Sequence, residues 1–179
     1  IDLMNIPFLA GYLLGNHKTL QQDREPRDWA GLTDFCHQAG LSHLLFFRLR
    51  QDPENSCPPL YRERLSNLFD LSFARFSRVK AEVQELIDYC RKSGIQAGFI
   101  KGFPLALQDY PHPATRPMQD VDCLARDEDL PGISEFLIQK GYSRLPDQSR
   151  IEKKPVFIKL LGPHVFSFEF HHKLPTSST

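Results

Sequence analysis

Apolar positions in the first ninety residues recur at steps of three and four, the spacing of one helix face. Trp29, Leu32, Phe35 and Cys36 follow Arg27 or Asp28, and Gly40 closes that run. A second short helix is expected over Leu41–Leu49, with Leu44, Leu45 and Phe47 inward. QDPENSCPP, residues 51–59, is dense in turn formers and reads as a loop. A long helix is then predicted from about Leu60 to Ser93. Its stripe runs through Leu65, Leu68, Phe69, Phe73, Phe76, Val79, Val83, Leu86, Ile87 and Cys90, with no Pro or Gly to interrupt it. Gly94 is the natural residue after its end, because glycine takes a left-handed backbone at low cost.

The pattern changes after Gly94. Ile95–Lys101 is short, apolar and bounded by glycine, which suits a strand. Gly102–Gln108 suits a short helix, and Tyr110–Met118, with Pro111, Pro113 and Pro117, suits a loop. Val121–Leu124 reads as a second strand, and Ile133–Lys140 as a helix closed by Gly141. Further strands are expected at Tyr142–Leu145, Val156–Leu161 and, after the Gly162-Pro163 turn, Val165–Leu174. In the last of these Phe166, Phe168 and Phe170 point one way and Ser167, Glu169 and His171 the other. The order predicts a helical region over 1–93 and a small α+β (α/β-like) core over 94–179.

The chain has 179 residues with 41% apolar and 25% charged positions, ordinary values for a globular protein. Fourteen phenylalanines point to an aromatic core. Lys plus Arg and Asp plus Glu are 22 each, a formal net charge of +0. Nothing global marks a nucleic-acid binder, and low colloidal repulsion makes self-association an expectation. Cys36, Cys57, Cys90 and Cys123 contain no CxxC pair, so the simpler reading is a reduced, cytoplasmic chain. The apolar run Ile6–Leu14 is too short to span a bilayer and reads as a packing helix. The chain starts without Met and ends in LPTSST, which suggests a piece of a longer protein.

Asp120 and Asp122 flank Val121 and share a strand face. Two such carboxylates repel, raising the proton affinity of at least one, unless a cation lies between them. Mg²⁺ takes oxygen ligands and bridges carboxylates to phosphates. The pair alone reads more readily as a solvated strand end, and Glu169 alone reads equally as an exposed acid. If its strand neighbours Val121, Glu169 completes a three-carboxylate cluster. Lys101 and Gly102 stand where a strand meets a helix, a place that suits an anion or merely a tight turn. Arg116, held extended by Pro117, suits a phosphate or a surface pair with Asp109 or Glu128. His171 and His172 are adjacent and face opposite ways on a strand, which argues against one zinc ion holding both.

The stretch GFIKGFPLALQDYPHPATRPMQDVDCLARDEDLPGISEFLIQKGY, residues 98–142, resembles an uncharacterised bacterial nucleotidyltransferase family. Its features are a strand into Lys-Gly, Tyr-Pro, an Arg, Asp-x-Asp and a helix ending in Gly-Tyr. The resemblance covers roughly residues 25–174. It implies the nucleotidyltransferase fold, a small mixed sheet with flanking helices and an N-terminal helical region. It implies Asp120, Asp122 and Glu169 as catalytic, metal-binding acids for Mg²⁺ or Mn²⁺. It also implies Lys101, Gly102 and Arg116 as groups that hold the phosphates of a nucleoside triphosphate such as ATP.

The activity it implies is transfer of a nucleoside monophosphate to a hydroxyl or amine of a small-molecule or protein acceptor. The rival reading is a non-catalytic nucleotide-binding or protein-interaction module on the same fold. Two departures stand out. Phe103 follows Gly102 where the wider superfamily has a serine, which removes a hydroxyl contact to phosphate. Cys123-Leu124 displaces the usual leucine after the second aspartate. Members are usually longer, so the core is expected to be cut short at its C-terminus.

Overall fold

The computed structural model describes residues 13, 28–52, 57–146 and 155–171. The segments predicted at Ile6–Leu14 and beyond His171 lie, apart from Leu13, outside the described residues. Among the described residues before Gly94 every regular element is a helix: α1 (Trp29–Gln38), α2 (Ser42–Gln51) and α3 (Pro59–Ser93). Asp28 caps α1, its carboxylate accepting the Gly31 N–H at 2.9 Å. In α3 the buried apolar positions are Leu65, Phe69, Phe76, Val79, Val83, Leu86 and Cys90, spaced by three, four or seven as the sequence predicts. Phe73 departs from that stripe and is 46% exposed. Gly94 takes φ +69°, and the Ile95 N–H donates to the Cys90 carbonyl, which ends the helix.

The remaining elements are β1 (Ala97–Ile100), α4 (Gly102–Gln108), a 3₁₀ turn (Pro113–Thr115), β2 (Asp120–Ala125), α5 (Leu130–Gln139), β3 (Ser143–Arg144), β4 (Val156–Leu161) and β5 (His164–His171). They make a mixed α+β fold with one five-stranded sheet, in the order β1-β2-β5-β4-β3. β2 and β5 run parallel, and the other pairs are antiparallel. All four cysteines are buried as thiols and none forms a disulfide. No helix among the described residues is long and apolar enough to cross a membrane.

The chain forms two compact units, residues 1–74 with 110–117, and residues 75–109 with 118–179. The sequence division at Ser93 follows the change from helix to strand, whereas the compact units divide within α3. In the first unit Leu32, Cys36, Leu45, Phe46, Leu49, Leu65 and Phe69 form a core closed by Ala114. The His112 ring lies against Phe47, Phe69 and Phe73, and its Nδ1 accepts the Ala114 N–H at 3.2 Å. Burial, then the charge of Arg50, lowers the His112 pKa. Burial likewise lowers that of His43, helped by His37 and opposed by a hydrogen bond to the Leu68 backbone.

Both imidazoles are therefore favoured neutral in the folded state. Their contribution to stability is complete above the ordinary histidine value of about 6.5 and is lost as pH falls from there through the lower folded values. The melting temperature is expected to drop by about 2–4 °C between pH 7.5 and 5.5, beyond any drop in a His43→Gln/His112→Asn double variant. Equal slopes in the two proteins would refute this origin.

In the second unit the second half of α3 supplies Phe76, Val79, Val83, Leu86 and Cys90 to a core with Val121, Cys123, Ile133, Leu137, Phe157, Phe166, Phe168 and Phe170. The phenylalanine alternation of β5 is thus one side of the sheet. Tyr142 and Lys159 both reach the Glu82 carboxylate, at 2.9 Å, and tie α3 to the sheet. Val121 and Cys123 face this core, so Asp120 and Asp122 are carried to the opposite face.

Candidate metal centre

Parallel pairing of β2 with β5 sets Asp122 directly across from Glu169, Asp120 across from Ser167 and Leu124 across from His171. Residues opposite one another on neighbouring strands share a sheet face. Two acids and an imidazole 47 and 49 residues apart in sequence are thereby gathered in one place. One ligand atom from each of Asp122, Glu169 and His171 lies within 4.8 Å of the other two. Asp122 and His171 are buried and Glu169 is half-buried.

Asp122 is the hub. Its Oδ1 lies 2.7 Å from His171 Nε2 and accepts a hydrogen bond from Lys101 Nζ, also at 2.7 Å. Lys101 arrives there because β1 pairs antiparallel with β2, with Ile100 opposite Asp122, and the chain turns at the next residue. That turn holds Lys101 at φ 57°, ψ −117°, the one non-glycine positive φ among the described residues. A side chain in this region is strained, and such strain collects at functional sites. Burial disfavours the Asp122 carboxylate, but the hydrogen bonds and charges of Lys101 and His171 outweigh it and hold the pKa below the ordinary value. The expectation that repulsion raises a proton affinity is thus reversed at Asp122. In the sequence Lys101 is assigned to phosphate, and the acids are given a metal ion but no cationic side chain.

The donor set fits a divalent ion. Ligands about 2.1 Å from an octahedral ion are at most about 4.2 Å apart, so a small closure of the three groups suffices. Carboxylates suit Mg²⁺ and Mn²⁺, and an imidazole nitrogen adds preference for the later, softer metals.

A family model described as an uncharacterised nucleotidyltransferase matches residues 25–178. The chain belongs to that family. No curated protein matches the chain. The family match joins the mixed sheet and its acid face into one picture, a nucleotidyltransferase-superfamily fold with a cluster able to coordinate a metal.

Other residues singled out in the sequence of this nucleotidyltransferase family member fall as follows. Asp120 is exposed, one pleat before Asp122 on the same face and outside the three-residue group. Arg75, which sequence reasoning missed, sends Nη2 to the Val165 carbonyl at 2.9 Å. Burial lowers the Arg75 pKa, and the negative charge of Asp120 works against that shift. Gly102 opens α4 immediately after Lys101. Phe103 is buried in the core against Phe76 and Phe99, so it takes no space from the acid face.

Arg116 belongs to the first unit, where it donates to the Tyr110 hydroxyl at 3.0 Å and lies over that ring. Glu128, one of its candidate partners, is paired instead with Arg126 at 2.7 Å. In the sequence the adjacent His171 and His172 argue only against a shared zinc ion, and His171 is given no ligand role of its own. The usable signal was its two-residue step from Glu169.

Proposed function

We propose that the protein is a Mg²⁺- or Mn²⁺-dependent nucleotidyltransferase that moves a nucleoside monophosphate from a nucleoside triphosphate to a hydroxyl or amine acceptor. The observation that carries this reading is the convergence of Asp122, Glu169 and His171 on one sheet face of a nucleotidyltransferase family member. Asp122 and Glu169 hold the cation, with His171 as a third ligand or as the group that orients Asp122. Asp120, exposed beside them, is assigned to the same acid face as a ligand shared with the substrate phosphates. A divalent cation there would neutralise phosphate charge and favour in-line displacement of pyrophosphate. Lys101 and the Gly102 backbone are assigned to the triphosphate, where a cationic donor stabilises charge that grows on the leaving group.

The test is a transfer assay with the four nucleoside triphosphates labelled at the α-phosphate, Mn²⁺ or Mg²⁺, and a panel of sugar, aminoglycoside and protein acceptors. Label is expected on an acceptor together with stoichiometric pyrophosphate. Nucleoside triphosphate with Mn²⁺ is also expected to raise the melting temperature through linkage. Binding without transfer across the panel would favour the non-catalytic nucleotide-binding module. Absence of both binding and transfer would reject the proposal.

A further inference from the structure

The Lys101 ammonium and a divalent ion have a claim on the same carboxylate. Asp122 Oδ1 accepts from Lys101 at 2.7 Å and meets His171 Nε2 at 2.7 Å. A carboxylate oxygen has two lone-pair directions, and both are engaged. Asp122 has an 11% exposed side chain, so water does little to relieve an unpaired charge there. The Lys101 side chain is 47% exposed, so its ammonium can swing into solvent without leaving a cavity. The backbone at φ 57° is a costly place for a lysine where glycine would serve. Its side chain therefore has a use that offsets the strain.

We infer that Lys101 is a built-in stand-in cation for the metal at Asp122. It neutralises the carboxylate in the metal-free protein, leaves when a divalent ion binds, and is released to meet substrate phosphate. This inference rests on the metal centre proposed above and adds an exchange to it. A metal that takes Oδ1 must break the Lys101–Asp122 pair, which weakens affinity for the metal alone. The freed ammonium then gains most from a polyanion that arrives with the metal. The exchange couples the two ligands and keeps the Asp122 carboxylate paired with a cation between turnovers.

The test measures Mn²⁺ affinity of the full chain by the loss of the free-ion electron paramagnetic resonance signal. Lys101→Met removes the ammonium, and Lys101→Gly removes it while relieving the backbone. Both are expected to bind Mn²⁺ about tenfold or more tightly than wild type, the factor that follows from losing one charge-assisted hydrogen bond. Arg75→Met is the control for charge alone, since Arg75 acts on Asp120 and does not hydrogen-bond Asp122. Its effect is expected to be much smaller.

A second readout follows the ¹³C-methylated lysine resonance that is absent from Lys101→Met. It should move on saturation with Mg²⁺ and move again on addition of tripolyphosphate. Equal Mn²⁺ affinity in wild type and both Lys101 variants, or an equal gain in Arg75→Met, would overturn the exchange and leave the metal centre standing. A Lys101 resonance unmoved by saturating Mg²⁺ would do the same. Absence of Mn²⁺ binding in every protein would overturn the exchange and the metal centre together.

Discussion

An Asp122→Asn protein is expected to fold and to bind Mn²⁺ at least about 100-fold more weakly than wild type, because groups that only orient metal ligands are already worth up to that factor. Nucleotidyl transfer should fall by a similar or larger factor. Asparagine keeps an oxygen to accept from Lys101 and His171 but carries no charge to attract a cation. Asp122→Ala is the informative partner. It strands the His171 imidazole, which is 4% exposed and loses its hydrogen-bond partner in the site. An unsatisfied buried polar group costs about 1–3 kcal/mol. The alanine variant should therefore melt below the asparagine variant, while both lose the metal. Isothermal titration with Mn²⁺ and thermal melting separate the two effects. Asparagine at 122 with wild-type Mn²⁺ affinity would contradict the role of Asp122 as the hub.

The second large effect sits one residue from Glu169 and on the other face of the same strand. Phe168 is 0% exposed and packs against Tyr142, Phe166 and Phe170. Its truncation to alanine should cost about 3–5 kcal/mol, the range for a buried aromatic ring. Glu169→Gln removes a half-buried carboxylate beside Asp122, and its stability should stay within about 0.5 kcal/mol of wild type. Its metal affinity should nonetheless collapse. Denaturant unfolding of the two variants reads the pleat of β5 directly, as adjacent residues with opposite phenotypes. A stable Phe168→Ala protein would mean that the phenylalanine face is not the core.

Much of this arrangement is legible in the sequence because its periods are local. The uninterrupted apolar stripe of α3, the glycine at its end and the Phe-x-Phe-x-Phe of β5 are each fixed by neighbours a few residues apart. The family resemblance supplied the next step, since periodicity alone does not say that β2 and β5 pair. That pairing is a long-range contact, and it brings Glu169 opposite Asp122. Three features escaped for physical reasons. Lys101 was assigned to phosphate on local grounds, and its reach back to Asp122 depends on the β1–β2 register. His171 shares a face with Glu169 by the alternation already recognised, but it was weighed against His172 rather than against Asp122. Arg75 was invisible because only the apolar positions of α3 were followed. The compact units divide inside α3, where no glycine or proline marks a boundary.

The most direct test of the metal centre is an anomalous difference map from crystals of the protein soaked in Mn²⁺. A peak is expected between the Asp122 and Glu169 carboxylates and the His171 imidazole, with the Lys101 ammonium withdrawn from Asp122. Fully occupied Mn²⁺ elsewhere in the molecule, with Lys101 still seated on Asp122 and no peak between the two strands, would contradict it.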